Sequence, residues 1–161
     1  MTTRTVDPTA FRTALSRFAS GVTVLTTRTD DGQDLGMTAS AFSSLSLEPP
    51  LILVCVDRDA SMASPLEHAT HVAVHVLAVE QEHLSRRFAG KESDRFTGLA
   101  ISRGAGGVPL LEGAIARLQC RIVERHPGGD HVIVVAEVLD ADAAEGAPLV
   151  YFRGQYGRFG A

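Results

Sequence analysis

The chain has 161 residues, 45% of them hydrophobic and 21% charged. That suits one domain over residues 1–161 with a real core and leaves no room for two separate cofactor-binding domains. Fifteen Lys+Arg against nineteen Asp+Glu give a net charge of −4 without any basic block, which argues against nucleic acid or an anionic membrane as partner.

Asp7-Pro8 reads as an N-cap followed by proline at the first helical position. Phe11, Leu15 and Phe18 then recur at i, i+4, i+7, which predicts a short helix with one apolar face, stopped by Gly21. Residues 22–27 are strand-like, and Asp30-Asp31-Gly32 turns the chain into a second strand. Residues 35–47 are small and hydroxyl-rich and end at Pro49-Pro50; residues 51–56 read as a strand buried on both faces. A short helix is expected over 61–68, a strand over 72–77 and a helix over 80–89 with Leu84 and Phe88 on one face. Residues 104–107 read as a loop. Strands are expected over 114–124, 131–139 and 149–159, the last broken near Gly154, with turns at His126-Pro127-Gly128-Gly129 and Glu145-Gly146 between them. Six or seven strands joined mostly by hairpins, with two or three short helices, predict a mainly β protein. A closed or nearly closed antiparallel barrel fits better than a doubly wound parallel sheet.

Cys55 and Cys120 stand far apart in apolar runs and read as buried reduced thiols of a cytoplasmic protein. No segment approaches the roughly 20 apolar residues of a membrane span, and residues 1–19 carry no apolar run of the signal-peptide kind. His71 and His75 fall on one face of a strand about 13 Å apart, too far to share one ion, so no metal site is expected.

Three segments could carry chemistry. In Gly36-Met37-Thr38-Ala39-Ser40-Ala41-Phe42-Ser43-Ser44 the small side chains allow close approach to the backbone. Amide N–H groups and the Thr38 and Ser40 hydroxyls could hold phosphate oxygens; the same residues also read as a strand end whose hydroxyls satisfy local backbone. Arg86-Arg87-Phe88-Ala89-Gly90 places guanidinium beside an aromatic ring, suited to a phosphate or a planar ring, or to a plain helix terminus with its glycine cap. Gly128-Gly129-Asp130-His131 opens a strand with an imidazole beside a carboxylate, or is a hairpin turn with a surface histidine.

These segments, in this order and spacing, resemble the short-chain flavin reductases, the small components of two-component flavin-dependent monooxygenases. The resemblance is carried by Phe18-Ala19-Ser20-Gly21-Val22-Thr23-Val24, the segment 36–42, Pro49-Pro50-Leu51, Arg87-Phe88-Ala89-Gly90, Asp94-Arg95-Phe96, Gly129-Asp130-His131 and Pro148-Leu149-Val150-Tyr151-Phe152-Arg153-Gly154. It implies the FMN-binding split-barrel fold and an NAD(P)H:flavin oxidoreductase that uses FMN or FAD with NADH or NADPH. Its products would be carried to a separate oxygenase as diffusible reduced flavin. It further implies a homodimer with flavin near the subunit interface, in keeping with a mean hydropathy of +0.09. By the same resemblance, Met37, Thr38, Ala39, Ser40 and Ala41 cradle the flavin phosphate and ribityl chain, and Cys55, Val56 and Asp57 border the ring. Ser61, Arg87, Phe88 and Ala89 contact the flavin tail, and His131 marks the place where the nicotinamide docks. Met62 departs from the small hydroxyl residue expected there. The competing readings are a flavin-binding module without turnover and an oxidase of the pyridoxamine-phosphate type; against the second, no basic cluster offers itself to a second phosphate-bearing substrate.

Overall fold

A computed structural model describes residues 5–160. Among these residues three α-helices, α1 (Pro8–Leu15), α2 (Ala63–His68) and α3 (Glu82–Ala89), decorate twelve strands. Seven strands form one antiparallel sheet: β2 (Thr23–Arg28), β3 (Asp34–Ala39), β4 (Phe42–Ser46), β5 (Leu51–Asp57), β6 (His71–Val76), β9 (Ala116–Gly128) and β10 (His131–Ala143). Their order is β3-β2-β6-β9-β10-β5-β4. The two edge strands β3 and β4 are joined by residues 40–41 alone, a link of about 11 Å at full extension. The edges therefore meet at that corner, and the sheet curls into a barrel, as the hairpin-rich pattern predicts. A second sheet pairs β1 (Ser20–Gly21), β11 (Leu149–Phe152) and β12 (Gln155–Arg158), and β7 (Ile101–Arg103) pairs with β8 (Pro109–Leu111).

Strand alternation sorts the apolar residues into two cores. Leu25, Val54, Val56, Val72, Val74, Cys120 and Val134 fill the barrel, closed by Met62 and Leu66. Val24, on the opposite face of β2, and Val22 just before the strand pack outside it with Leu77, Leu84, Phe88, Leu111 and Leu149. This double duty is why residues 22–27 are buried throughout. Thr23, Thr26 and Thr27 survive burial because each hydroxyl donates to a carbonyl, of Ala39, Pro109 and His71, at 2.6, 2.6 and 2.7 Å.

Several expectations need correction. Helix α1 ends at Leu15, not near Gly21, which lies in β1, and none of its residues is buried. The segment 35–47 is two strands, β3 and β4, because the barrel corner breaks it. Strand β5 is fully buried only at Ile52, Val54 and Val56 and half-covered on its other face. The glycine loop at 104–107 is a helical turn between two short strands, β7 and β8, that three-residue apolar runs do not announce. The late hairpin turns at Gly129-Asp130, later than expected, with strands of 13 residues each.

His75 is fully buried between the two cores. Its Nδ1–H donates to the Val24 carbonyl at 3.0 Å, and Nε2 accepts the Leu111 N–H at 3.0 Å, so the neutral ring pins β2, β6 and β8. Burial pushes its pKa down to about 4; the Val24 carbonyl opposes that shift, Arg117 adds to it and Asp142 opposes it. Below its ordinary pKa near 6.5 the unfolded chain takes up a proton that the folded chain refuses. Stability held in full above pH 6.5 is therefore lost as the pH falls from there towards 4, by about 3 kcal/mol in all. Denaturant titrations at pH 7, 6 and 5 should show that decline. His75→Leu should be less stable at pH 7 by about 2 kcal/mol and should flatten the decline; an equally steep decline in the variant would remove His75 as its source.

Candidate active site

Strand β3 uses its two faces for different tasks. Leu35, Met37 and Ala39 pack towards the barrel core, while Gly36, Thr38 and Ser40 face helix α3. At Gly36 a Cβ would come within 2.6 Å of the Phe88 ring and 3.2 Å of Phe96. The missing side chain lets Phe88 seat fully buried against the strand, with Phe96 edge-on at 5.1 Å and 71°. Thr38 Oγ1 donates to the Ser85 carbonyl at 2.6 Å, so its proton fastens the helix to the strand, and only its oxygen lone pairs face a ligand. Ser85 Oγ lies 2.6 Å from the Tyr156 hydroxyl, and the Arg86 guanidinium sits 4.8 Å over the Tyr156 ring.

A cleft of about 440 Å³ opens where β3 and α3 meet the 59–61 turn. Met37, Thr38, Ser61, Phe88 and Ala89 line it, together with Asp59, Ala60, Gly90, Lys91 and Arg95. Through Thr38 and Ala89 it joins a smaller hollow of about 200 Å³ that holds Ser40, Tyr151 and Tyr156. Arg95 donates from Nη1 to the Gly36 carbonyl at 2.6 Å, from Nε to Glu92 at 3.0 Å and from Nη2 to Gly90. All its partners are carbonyls, so it clamps the 90–96 loop to β3 without losing its charge to a carboxylate.

The other expected residues fall around this cleft in different ways. Cys55 is half-buried and its N–H donates to the Ala41 carbonyl at 2.9 Å, which ties β5 to the barrel corner. Ala39 and Val56 point into the core, 7% and 1% exposed, and can meet a ligand only through backbone. Asp57 Oδ1 accepts the Asp59 N–H at 2.8 Å. The Arg87 guanidinium donates to the Thr97 carbonyl, outside the cleft lining. His131 pairs with Asp57 in the sheet, and Arg58 binds the Asp130 and Gly129 carbonyls at 3.0 and 3.1 Å. The imidazole thus stands at the barrel end that carries the 59–61 turn. Its Nδ1–H donates to Asp130 at 2.8 Å, and that bond holds the Asp130 carboxyl below the usual carboxylate range. Met62, the departure from the expected hydroxyl, is 1% exposed and helps close the core, while Ser61 beside it lines the cleft. Sequence reasoning missed Asp59, Ala60, Lys91 and the tyrosine pair; for Arg95 the signal was its place in Asp94-Arg95-Phe96, a segment given no role.

The donor set fits a flavin. Hydroxyls of Ser40 and Ser61 and the carbonyl-bound Arg95 suit a ribityl phosphate, and neither Arg95 nor Lys91 has an ion-pair partner among the described residues. Among the described residues Asp59 is the single acidic residue in the cleft lining.

Comparison with known proteins agrees. Residues 15–160 match the flavin reductase like domain. The chain is 42% identical over 150 residues to the FMN reductase (NADH) SmoA of Agrobacterium fabrum, covering 93% of this chain and 85% of that protein. It is 45% identical over 150 residues to the 4-hydroxyphenylacetate 3-monooxygenase reductase component of Thermus thermophilus, covering 92% and 95%. The structure of the NADH:FAD oxidoreductase SgcE6 of Streptomyces globisporus, solved in complex with NAD and FAD fragments, superposes with a TM-score of 0.90 at 37% identity, over 98% of this chain and 97% of that one. With a mainly β antiparallel split barrel and sequence likeness along nearly its whole length, this chain belongs to the flavin reductase family.

Proposed function

We propose that this protein is an NADH-dependent flavin reductase, an enzyme that passes reduced flavin to a separate monooxygenase component. The observation that carries the reading is the cleft between β3 and α3, where hydroxyl groups and two cations without carboxylate partners among the described residues meet a wall that includes Met37, Phe88, Ala89 and Gly90. The chemistry a bound flavin supplies is acceptance of a hydride from the nicotinamide. The protein's part is to bind, orient and exclude water, since hydride transfer between two stacked rings needs no protein nucleophile. Ser40, Ser61, Lys91 and Arg95 hold the phosphate and ribityl end. Met37, Thr38, Ala39, Ala41, Phe88 and Ala89 shape the wall, backed by Arg87 in the last turn of α3, and the Cys55-Val56-Asp57 strand end borders the ring position. Asp130 keeps the His131 proton on Nδ1 and leaves Nε2 to accept a hydrogen bond, which suits His131 to position the nicotinamide.

The active form in this reading is a homodimer in which one domain fills each chain. Phe11, Leu15 and Phe18 are 54, 55 and 81% exposed, and Phe152 beside them in the chain fold is 41% exposed; a second copy would cover them. The Arg153 N–H bonds the Ser16 carbonyl at 3.0 Å and sets the end of α1 beside β11. Cys55 and Cys120 are free thiols, in keeping with a reducing, cytoplasmic setting.

Oxidation of NADH and NADPH with FMN, FAD and riboflavin tests the activity; absence of turnover in every combination would refute it. His131→Ala should raise the KM for NADH about tenfold with kcat within about threefold, whereas a collapse of kcat at constant KM would make the imidazole a chemical participant. Gly36→Ala should force Phe88 and Phe96 away from the strand, lower stability by about 1–3 kcal/mol and weaken flavin binding; unchanged flavin affinity would separate the β3–α3 contact from the site. Light scattering should return twice the 17.1 kDa chain mass, and Phe18→Asp should halve it.

A further inference from the structure

Of the fifteen Lys and Arg residues in the sequence only Lys91 is a lysine. That one primary amine side chain stands in the candidate site. Lys91 lines the cleft with Ser61 and Arg95 and is exposed to solvent there. Among the described residues it has no ion-pair partner. Its backbone is fixed from both sides. Arg95 donates to the Gly90 carbonyl and, at 3.0 Å, to the Glu92 carbonyl, so one guanidinium grips the residues before and after Lys91. A third bond, to the Gly36 carbonyl at 2.6 Å, ties the same guanidinium to β3. Lys91 is therefore held at a set offset from Arg95, while its four-carbon stem keeps its rotatable bonds.

The two cations offer different chemistry. Of the five guanidinium N–H groups, three go to carbonyls and two remain for a phosphate. Lys91 adds an amine, which in its neutral form is a nucleophile, a property that arginine lacks. A ligand whose phosphate is bonded directly to an acyl carbon would meet both groups at once. With its phosphoryl oxygens on Arg95 and Ser61, its carbonyl carbon is brought to the amine. We propose that Lys91 is a modification site, acylated by small acyl phosphates that enter the cleft by their phosphate. The neutral Nζ attacks the carbonyl carbon, a C–N bond forms, and the C–O bond to the phosphate breaks. Inorganic phosphate leaves with the electron pair of that bond, and the nitrogen loses a proton to water. Arg95 stabilises the departing phosphate. The product is a neutral amide where a cation stood, so the cleft keeps one of its two positive charges. The inference rests on the flavin reductase reading above and adds a control to it. Acylation lowers flavin affinity, and bound flavin shields the amine.

Acetyl phosphate is the probe. The full chain is incubated with it, and peptide mass spectrometry follows acetylation of Lys91 and of the α-amine, the only other primary amine. Acetic anhydride, which offers the cleft no phosphate, gives the reference ratio of the two labels. Acetyl phosphate should raise the Lys91 share at least tenfold over that reference. Inorganic phosphate and FMN should each slow labelling of Lys91 and leave labelling of the α-amine unchanged. Once acetylated, the protein should bind FMN about tenfold more weakly by quenching of flavin fluorescence. Lys91→Gln, whose side chain is also neutral, should show the same loss and no further loss on treatment. A label ratio equal to that of the anhydride, or labelling of Lys91 that phosphate does not slow, would overturn the proposal. Acetylated protein that binds FMN as tightly as untreated protein would overturn it too. In each of these cases FMN binding and NADH turnover by the untreated protein would leave the reductase reading standing. Failure of every flavin to bind the untreated protein would reject that reading, and the proposed control with it.

Discussion

The contact of α3 with β3 at Gly36 governs the architecture of the site. A hydrogen in place of a side chain lets the Phe88 ring come to the strand backbone, and burying that ring contributes about 2–3 kcal/mol. The Thr38-to-Ser85 hydrogen bond adds about 1 kcal/mol, so packing, more than polar contact, holds the helix in place. The polar contact does something packing cannot: it fixes the helix in register along the strand. Once the register is set, Phe88 and Ala89 form one wall of the cleft and Gly90 presents the carbonyl that Arg95 grips. Arg95 then returns to the Gly36 carbonyl, so the strand, the helix end and the following loop close a ring of contacts around one residue without a side chain.

The same strand also builds the barrel. Leu35, Met37 and Ala39 pack in or against the inner core, Met37 reaching the cleft as well, while Gly36, Thr38 and Ser40 face α3, and Thr38 and Ser40 line the hollows there. A two-residue corner after Ala39 turns the chain into β4 and brings the two sheet edges together. The cleft is thus cut into the seam of the barrel, where backbone groups at a corner are less fully used by ladder pairing than in mid-sheet. That seam is also where the end of β5 arrives, its Cys55 N–H already bound to Ala41. Binding groups drawn from three separated stretches of sequence become neighbours because closing the barrel requires them to be.

Much of this was legible in the residues. Hairpin punctuation and period-two alternation predict an antiparallel barrel, and the small hydroxyl-rich run at 36–42 marks the seam because only small residues tolerate both a corner and a close helix. Helix α3 was legible through Leu84 and Phe88. What escaped has physical reasons. Helix α1 was read as a short helix with one apolar face, and periodicity reports only that a face is apolar and not what covers it. Val56 looked like part of the site because its neighbours are, but alternation turns it inward to the core. Asp59, Ala60, Lys91 and Arg95 lie in turns and loops with no period, so their convergence on the cleft depends on tertiary closure that no local pattern encodes. His75 looked like one of several histidines; its role follows from two backbone partners brought from 51 and 36 residues away.

Charge raises a final question, since a chain of net charge −4 is asked to attract anionic cofactors. At physiological ionic strength charges more than about 8 Å apart are largely screened, so the overall balance sets little beyond solubility and the local arrangement decides binding. Local charge is arranged with economy. Glu82, Glu137 and Asp142 each hold an arginine in an ion pair outside the cleft lining, and Asp34 holds both Arg28 and Arg103, whereas Arg95 is held by carbonyls. Carbonyl dipoles orient a guanidinium without neutralising it, so Arg95 is rigid and still fully charged. A carboxylate partner would have given the same rigidity and cancelled the field. An acidic protein can therefore keep a cationic cleft, provided that an arginine in it is anchored by backbone carbonyls alone.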